Sequence, residues 1–468
     1  MSLIFYDTET SGLSSAFDQI LQLAAIRTDD NLDEIGRFEI RSRLLPYIVP
    51  SPQAMRVTGQ TIDDLLDETR PSHYEMVTTL RRELGAWCPS TFIGYNSLRF
   101  DEEFLRAAFY QCLHPPYMTN TGGSRRGDAM HLIRAAAFLH PGALVIPTGD
   151  TGKPSFKLDR LAPANGFNHI NAHDALADVE ALIFLCRIVR NRCPALWDRF
   201  MRFARKDAVH SFVRQEDAFV MLEFGPTTTK PYVVSAIGEN AGQSNLVYCY
   251  DLACDPDPLR DLTDVELAAR MKRPSRPLRK LKKNAAPTLC PMEEASPTML
   301  GDVTATEFER RAQVIHSDRA LVKRLVAAAT AAETEYPASP FYERQIYSGF
   351  WSNDDADRLN DFHEASWERR TKIADELEDP RLVWLARRLI WVERPEMLAP
   401  EHRDAMAKEK AERMMSDQPA GWLTIDGALK ALAAMGAEFD GGAEDRLGVY
   451  LAEKRAAVQP VESSNLFT

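Results

Sequence analysis

Asp7 and Glu9 stand two residues apart at the end of an apolar run, in the stretch FYDTETSG. Alternate side chains of an extended strand project to one face, so these two carboxylates share a side of a sheet. A D-x-E pair alone is commonplace, because acids at a strand end also solvate the loop that follows. Two further acids change its weight. Asp101 closes GYNSLRFD, where a strand gives way to a helix, and reads either as an N-cap or as a functional acid. Asp178 closes NAHDALAD, one turn inside another helix, for which Asp174 is the natural N-cap and His173 lies just outside. Four carboxylates and one imidazole are a set of oxygen ligands for hard divalent cations plus one group able to take a proton near neutral pH. Zinc is disfavoured, since the set holds a single histidine and no cysteine.

For these positions to meet, a sheet must carry the first pair and helices must deliver the others. Residues 3–7 and 20–28 are apolar runs and 37–45 alternates apolar with polar, which predicts an antiparallel meander. Helical spacing follows over 61–87, a strand over 91–95, and a helix over 101–112 with Phe104, Leu105, Ala108 and Phe109 on its apolar face. Residues 175–189 form a further amphipathic helix. This order predicts an α/β layer with helices on both sheet faces. Past a boundary near 192–205, short β-branched or aromatic runs at 219–223, 232–235 and 246–251 predict a small β-rich region, and from 341 onward an Ala-, Glu-, Arg- and Leu-rich chain reads as helical.

A chain of 468 residues with 45% hydrophobic and 26% charged content can bury several cores. Its net charge of −12 excludes coating nucleic acid through bulk electrostatics, so any phosphate contact must be a local basic patch. One stretch, 272–283, carries Lys272, Arg273, Arg276, Arg279, Lys280, Lys282 and Lys283 without an acid. It reads as a solvated strand and loop or as a rim for an anionic partner. Seven scattered cysteines without a C-x-x-C pair point to reduced thiols. The opening MSLIFYDTET lacks a long apolar h-region, and no run of about 18 apolar residues follows; a cytoplasmic protein without membrane association is expected.

The order D-x-E, then D, then H-x-x-x-x-D resembles the DEDDh exonuclease superfamily. Within it, FYDTETSG, GYNSLRFDEEFLRAAFY and PSFKLDRLAPANGFNHINAHDALADVEA resemble the bacterial exodeoxyribonuclease I family, and TKPYVVSA and FYERQIYSGFWSNDDADRL extend the similarity through the C-terminal half. The resemblance implies an RNase H-like exonuclease domain over 1–193, a smaller SH3-like β-rich domain over 194–340 and a helical extension over 341–468. It implies a monomer that removes 5′-mononucleotides processively from 3′ ends of single-stranded DNA, in DNA repair and recombination. Two Mg²⁺ ions, with Mn²⁺ as substitute, would be held by Asp7, Glu9, Asp101 and Asp178, with Asp7 bridging and His173 as general base. Glu9, Arg106, Tyr117, Arg134 and Lys157 would contact substrate. The acidic C-terminal tail of single-stranded-DNA-binding protein would dock on Lys230, Arg279, Lys280, Lys282 and Lys283.

Two departures from the family pattern stand out. Lys157 takes a place where arginine is usual, which keeps the charge and loses a bidentate phosphate fork. Residues 120–127, NTGGSRRG, replace a segment that carries tryptophans in relatives, which removes base stacking there and leaves Arg125 and Arg126 to reach phosphates. Two other readings share the five residues: a proofreading or RNA-trimming DEDDh enzyme, whose chains are shorter, and an inactive strand-binding module, against which the retention of all five residues speaks.

Overall fold

The structure, a computed structural model, describes residues 2–168, 174–273, 276–333, 337–435 and 441–458, without the side chains of 441–445. Its first sheet runs β3-β2-β1-β4-β5, with β1 Leu3–Thr10, β2 Ile20–Thr28, β3 Glu34–Arg41, β4 Thr91–Gly94 and β5 Arg125–Asp128. The first three strands form the expected antiparallel meander, and β4 and β5 run parallel to β1. Central β1 is apolar on both faces because both are covered. Leu3 and Phe5 pack with the helices Ala129–Leu139 and Ala175–Arg192, whereas Ile4 and Tyr6 pack with His73–Ala86 and Asp101–Gln111.

Strand β5 carries the polar string RRGD, which period-2 hydrophobicity does not reveal; it exists because its backbone pairs with β4 from Thr91↔Arg125 to Gly94↔Asp128. Gly127 in this strand lies so close to Phe200 that a Cβ would fall 2.5 Å from the ring. At the end of β4, a Cβ on Gly94 would sit 2.5 Å from that of Ser97, so the turn leading to the Asp101 helix admits only glycine there.

A second sheet, order β10-β6-β7-β8-β9, is antiparallel throughout. It comprises β6 Phe219–Phe224, β7 Thr229–Asn240, β8 Gln243–Asp251, β9 Leu278–Lys282 and β10 Leu289–Pro291. The expected small β region is thus present, but it is not β-rich alone. Helices Ala305–Ser317 and Arg319–Ala331 pack on β7. Their buried residues Phe308, Ala312, Ile315 and Leu321, Leu325, Ala328 recur at i, i+4, i+7, the helical period that the sequence reading passed over.

The C-terminal helices fold back onto the first sheet. Leu359 and Phe362 of Asn353–Glu364 and Leu385 and Ile390 of Pro380–Glu393 share a core with Ile4 and Tyr6. A buried ionic group fastens this junction: Glu343 accepts from Arg413 at 2.7 Å and from Lys410 at 3.4 Å, and Arg388 donates to the Gln111 carbonyl at 2.9 Å. Among the described residues, no helix is long and apolar enough to cross a membrane.

Candidate active site

The two faces of β1 divide the acidic residues. Asp7 and Glu9 follow Phe5 in alternation, toward the Ala175–Arg192 helix, and Asp178 on the first turn of that helix meets them. Asp7, Glu9 and Asp178 offer carboxylate oxygens all within 4.8 Å of one another. Tyr6 and Thr8 face the other way and meet the Asp101 helix instead. Thr8 donates to Asp101 Oδ1 from both its backbone N (3.0 Å) and its hydroxyl (2.6 Å). Asp101 is the first helical residue; Phe100 holds the N-cap position without a side-chain cap, so the capping alternative for Asp101 does not apply.

Buried like charges raise proton affinity. Asp7 is held well above the usual carboxylate range, first by burial and then by Asp101, Glu9 and Asp178. Glu9 is pushed to about 8 by burial, then Asp178 and Asp101, with Arg41 opposing. Burial takes Asp101 to about 7 against the pull of the Thr8 hydrogen bonds. Such a set is electrostatically unfinished. An all-oxygen cluster of acids that resist ionisation together fits hard divalent cations, which supply the missing positive charge and accept oxygen ligands.

Several positioning groups were not legible in the sequence. Asp174 caps its helix as expected, accepting from Leu176 N at 3.2 Å and Ala177 N at 3.4 Å. It is also anchored by Arg41 of β3 at 2.6 Å and Gln22 of β2 at 3.1 Å, which ties the helix bearing Asp178 to the sheet bearing Glu9. Glu102, fully buried, gathers Arg106 (2.8 Å), Arg126 (2.9 Å) and the Thr119 hydroxyl (2.6 Å) beside Asp101. A buried glutamate adjacent to an acidic motif carries no sequence signal that separates it from a surface acid.

Asp178 also lines a cleft of about 760 Å³ with Tyr95, Asn96, Arg99, Arg134 and Lys157. The far wall comes from the second sheet: Phe224 stacks on His131 at 4.7 Å, and Arg134 donates to Thr228 O at 2.6 Å while lying 5.3 Å from the Phe156 and Phe224 rings. Buried Arg134 Nε has no hydrogen-bond partner among the described residues. Lys157 is exposed at the rim. Arg106 and Tyr117 do not line this cleft. Arg106 is buried against Glu102, with Tyr117 stacked 5.3 Å from its guanidinium. Arg126 likewise spends its guanidinium on Glu102 and the Asn284 carbonyl, which corrects the expectation that it reaches phosphate. His173 lies outside the described residues, immediately before the N-cap Asp174.

Residues 4–185 match the Exonuclease family, and residues 342–448 match the Exonuclease I C-terminal domain. Fold and site therefore define an exonuclease, a nuclease of the hydrolase class. Exodeoxyribonuclease I of Escherichia coli (strain K12) is 30% identical over 377 residues, spanning 76% of this chain and 78% of the relative. The chain belongs to the exodeoxyribonuclease I family. Exonuclease I from Methylocaldum szegediense superposes with a TM-score of 0.84 at 26% identity, covering 98% of this chain and 99% of the other. E. coli exonuclease I in complex with a dA16 oligonucleotide shares the fold at a TM-score of 0.84 and 24% identity, over 98% and 100% of the two chains.

Proposed function

We propose that this protein hydrolyses single-stranded DNA processively from its 3′ end to 5′-mononucleotides, with two Mg²⁺ ions, in DNA repair and recombination. The observation that carries the reading is the convergence of Asp7, Glu9 and Asp178, from a strand and a distant helix, beside a cleft that also holds Arg134 and Lys157. The dA16-bound relative of the same fold supports the choice of a single strand.

Asp7, Glu9, Asp178 and Asp101 would hold the ions. When bound, a pair of divalent ions supplies positive charge to the phosphoryl oxygens and a nucleophile at neutral pH. The chain does the rest. Thr8 fixes the Asp101 carboxylate, while Arg41 and Gln22 fix the helix end from which Asp178 projects. Arg134 and Lys157 neutralise the incoming strand's phosphates, with Glu9 at the terminal nucleotide. His173 takes the proton of the attacking water and works from the segment just ahead of Asp174. Arg106 and Tyr117 act further along the strand.

The five-stranded second sheet is read as the SH3-like domain of the family pattern. For the acidic tail of single-stranded-DNA-binding protein, exposed Lys230 and Lys282 are the better candidates, because Arg279, Lys280 and Lys283 already pair with Asp251, Glu333 and Glu239.

Digestion of a 5′-labelled single strand beside its duplex, with and without EDTA, tests the proposal. A ladder shortening from the 3′ end, slow on duplex and abolished by EDTA, is expected. Cleavage indifferent to EDTA would overturn the metal mechanism, and equal cleavage of matched RNA would favour the RNA-trimming relative.

A further inference from the structure

Strand β5 ends on Asp128, which is 1% exposed. A carboxylate that deep is costly unless hydrogen bonds meet its demand. One of its contacts is ordinary: Oδ1 accepts from Met130 N at 3.0 Å, which caps the helix Ala129–Leu139. The others leave that helix. Oδ1 also accepts from Asn96 N at 2.9 Å and Oδ2 accepts from Leu98 N at 3.3 Å, both in the turn between β4 and the helix Asp101–Gln111. Capping requires only the bond to its own helix, so the two bonds to the turn serve a separate purpose.

The turn is one that needs support from outside. Asn96 has a φ of 60°, in the left-handed region that residues with a side chain seldom adopt, and its side chain does not cap the short helical turn Ser97–Arg99 that follows. Asn96 and Arg99 line the cleft beside Asp178, and Asp101 begins the next helix. On the other side of Asp128, the helix it caps carries Arg134 into the same cleft. Thr8 already pins Asp101 to β1. Asp128 extends that frame to the helix of Arg134.

We propose that Asp128 is a positioning residue, which sets the spacing between Asp101 at the metal site and Arg134 on the incoming phosphates. The inference rests on the roles proposed for Asp101 and Arg134. Asp128 acts through these two elements and not on the reacting atoms, because its oxygens are committed to three backbone amides. Misplacement of a bound phosphate by about 1 Å is enough to slow its reaction about 10²-fold.

The test compares wild type with Asp128→Asn and Asp128→Ser in steady-state hydrolysis of oligo-dT in Mg²⁺, in calorimetric Mg²⁺ binding and in hydrogen exchange over residues 94–99. Asparagine keeps an acceptor for Met130 and Asn96 but turns an amide toward Leu98 N. Serine keeps the cap and is too short to hold the turn. Asp128→Ser is expected to lower kcat roughly 10²-fold with KM unchanged, and Asp128→Asn to lower it less. Exchange over 94–99 should quicken in the same order, while Mg²⁺ affinity holds because Thr8 keeps Asp101 in place. A lower melting temperature with wild-type kcat per folded molecule would make Asp128 a structural cap and overturn the proposal. Lost Mg²⁺ affinity with unaltered exchange would make it a metal ligand and overturn it equally. If wild type itself releases no nucleotide in Mg²⁺, the functional reading fails, and exchange over 94–99 still upholds or overturns the link between the turn and the helix.

Discussion

Two charged regions of this molecule, one acidic and one basic, behave in opposite ways. Asp7 and Glu9 lie on one strand and Asp178 on a distant helix, yet their carboxylate oxygens meet within 4.8 Å, with Arg41 opposing their repulsion at Glu9. The basic residues of 272–283 are adjacent in sequence, yet the fold pairs three of them with acids from other elements. Arg279 pairs with Asp251 at 3.1 Å, Lys280 with Glu333 at 2.6 Å and Lys283 with Glu239 at 2.6 Å. Charge crowded in sequence is cheap to neutralise from neighbouring elements. Like charge crowded in space is retained at a cost, which is why it marks chemistry.

The strongest way to break this contrast is to remove one acid. Asp178→Ala should abolish nucleotide release in Mg²⁺ while raising the melting temperature of the metal-free protein, because one of three repelling carboxylates is gone. Retained turnover, or a metal-free variant less stable than wild type, would mean that the cluster is an ordinary structural feature. His173→Ala, which leaves the acids intact, should slow hydrolysis about 10²- to 10⁴-fold. Equal rates for wild type and variant across pH would remove the general-base role.

A pH experiment sharpens the same point. Glu9 at about 8 and Asp101 at about 7 bind protons more tightly in the folded protein than in the unfolded chain. Their contribution to metal-free stability is therefore fully present at acid pH and is lost as pH rises through 7 and 8. The measurement must stay above about pH 6.5, the ordinary imidazole value. Burial depresses His73 to about 3, His114 to about 2 and His363 to about 4, so those neutral rings withdraw stability as pH falls below that point. Between pH 6.5 and 8.5 the metal-free melting temperature should drop, and the rise on adding Mg²⁺ should grow with pH. A Mg²⁺ shift equal at both ends would place the ions elsewhere.

What the sequence disclosed follows from the range of the forces involved. The alternation in β1, the Asp174 cap and the helix bearing Asp178 are local, written in periods of two and 3.6, and the family pattern supplied the link between them. Strand β5 was invisible because RRGD has no apolar alternation and depends on β4 for its existence. Glu102, Arg41 and Gln22 were invisible for a related reason: their partners come from other elements. Arg106 shows the limit most plainly. Its spacing on the helix predicts a solvated face, and only the approach of Arg126 and Thr119 to Glu102 makes that face an interior.

The smallest effect tests whether the basic stretch is as neutralised as its geometry indicates. Lys283 is 4% exposed and bonded to Glu239, whose side chain is 44% exposed. Half-open to water, the pair is worth far less than a fully buried one, and Lys283→Ala should cost about 1–2 kcal/mol in urea unfolding, mostly from lost packing of its alkyl stem. Lys282→Ala, one residue away and exposed, should change stability by less than about 0.5 kcal/mol. It should, however, weaken binding of an acidic peptide if that face is a dock, whereas Lys283→Ala should not. The reverse order, with Lys283 governing peptide affinity and Lys282 governing stability, would mean that these ion pairs open in solution and that the stretch acts as the continuous patch its sequence suggests.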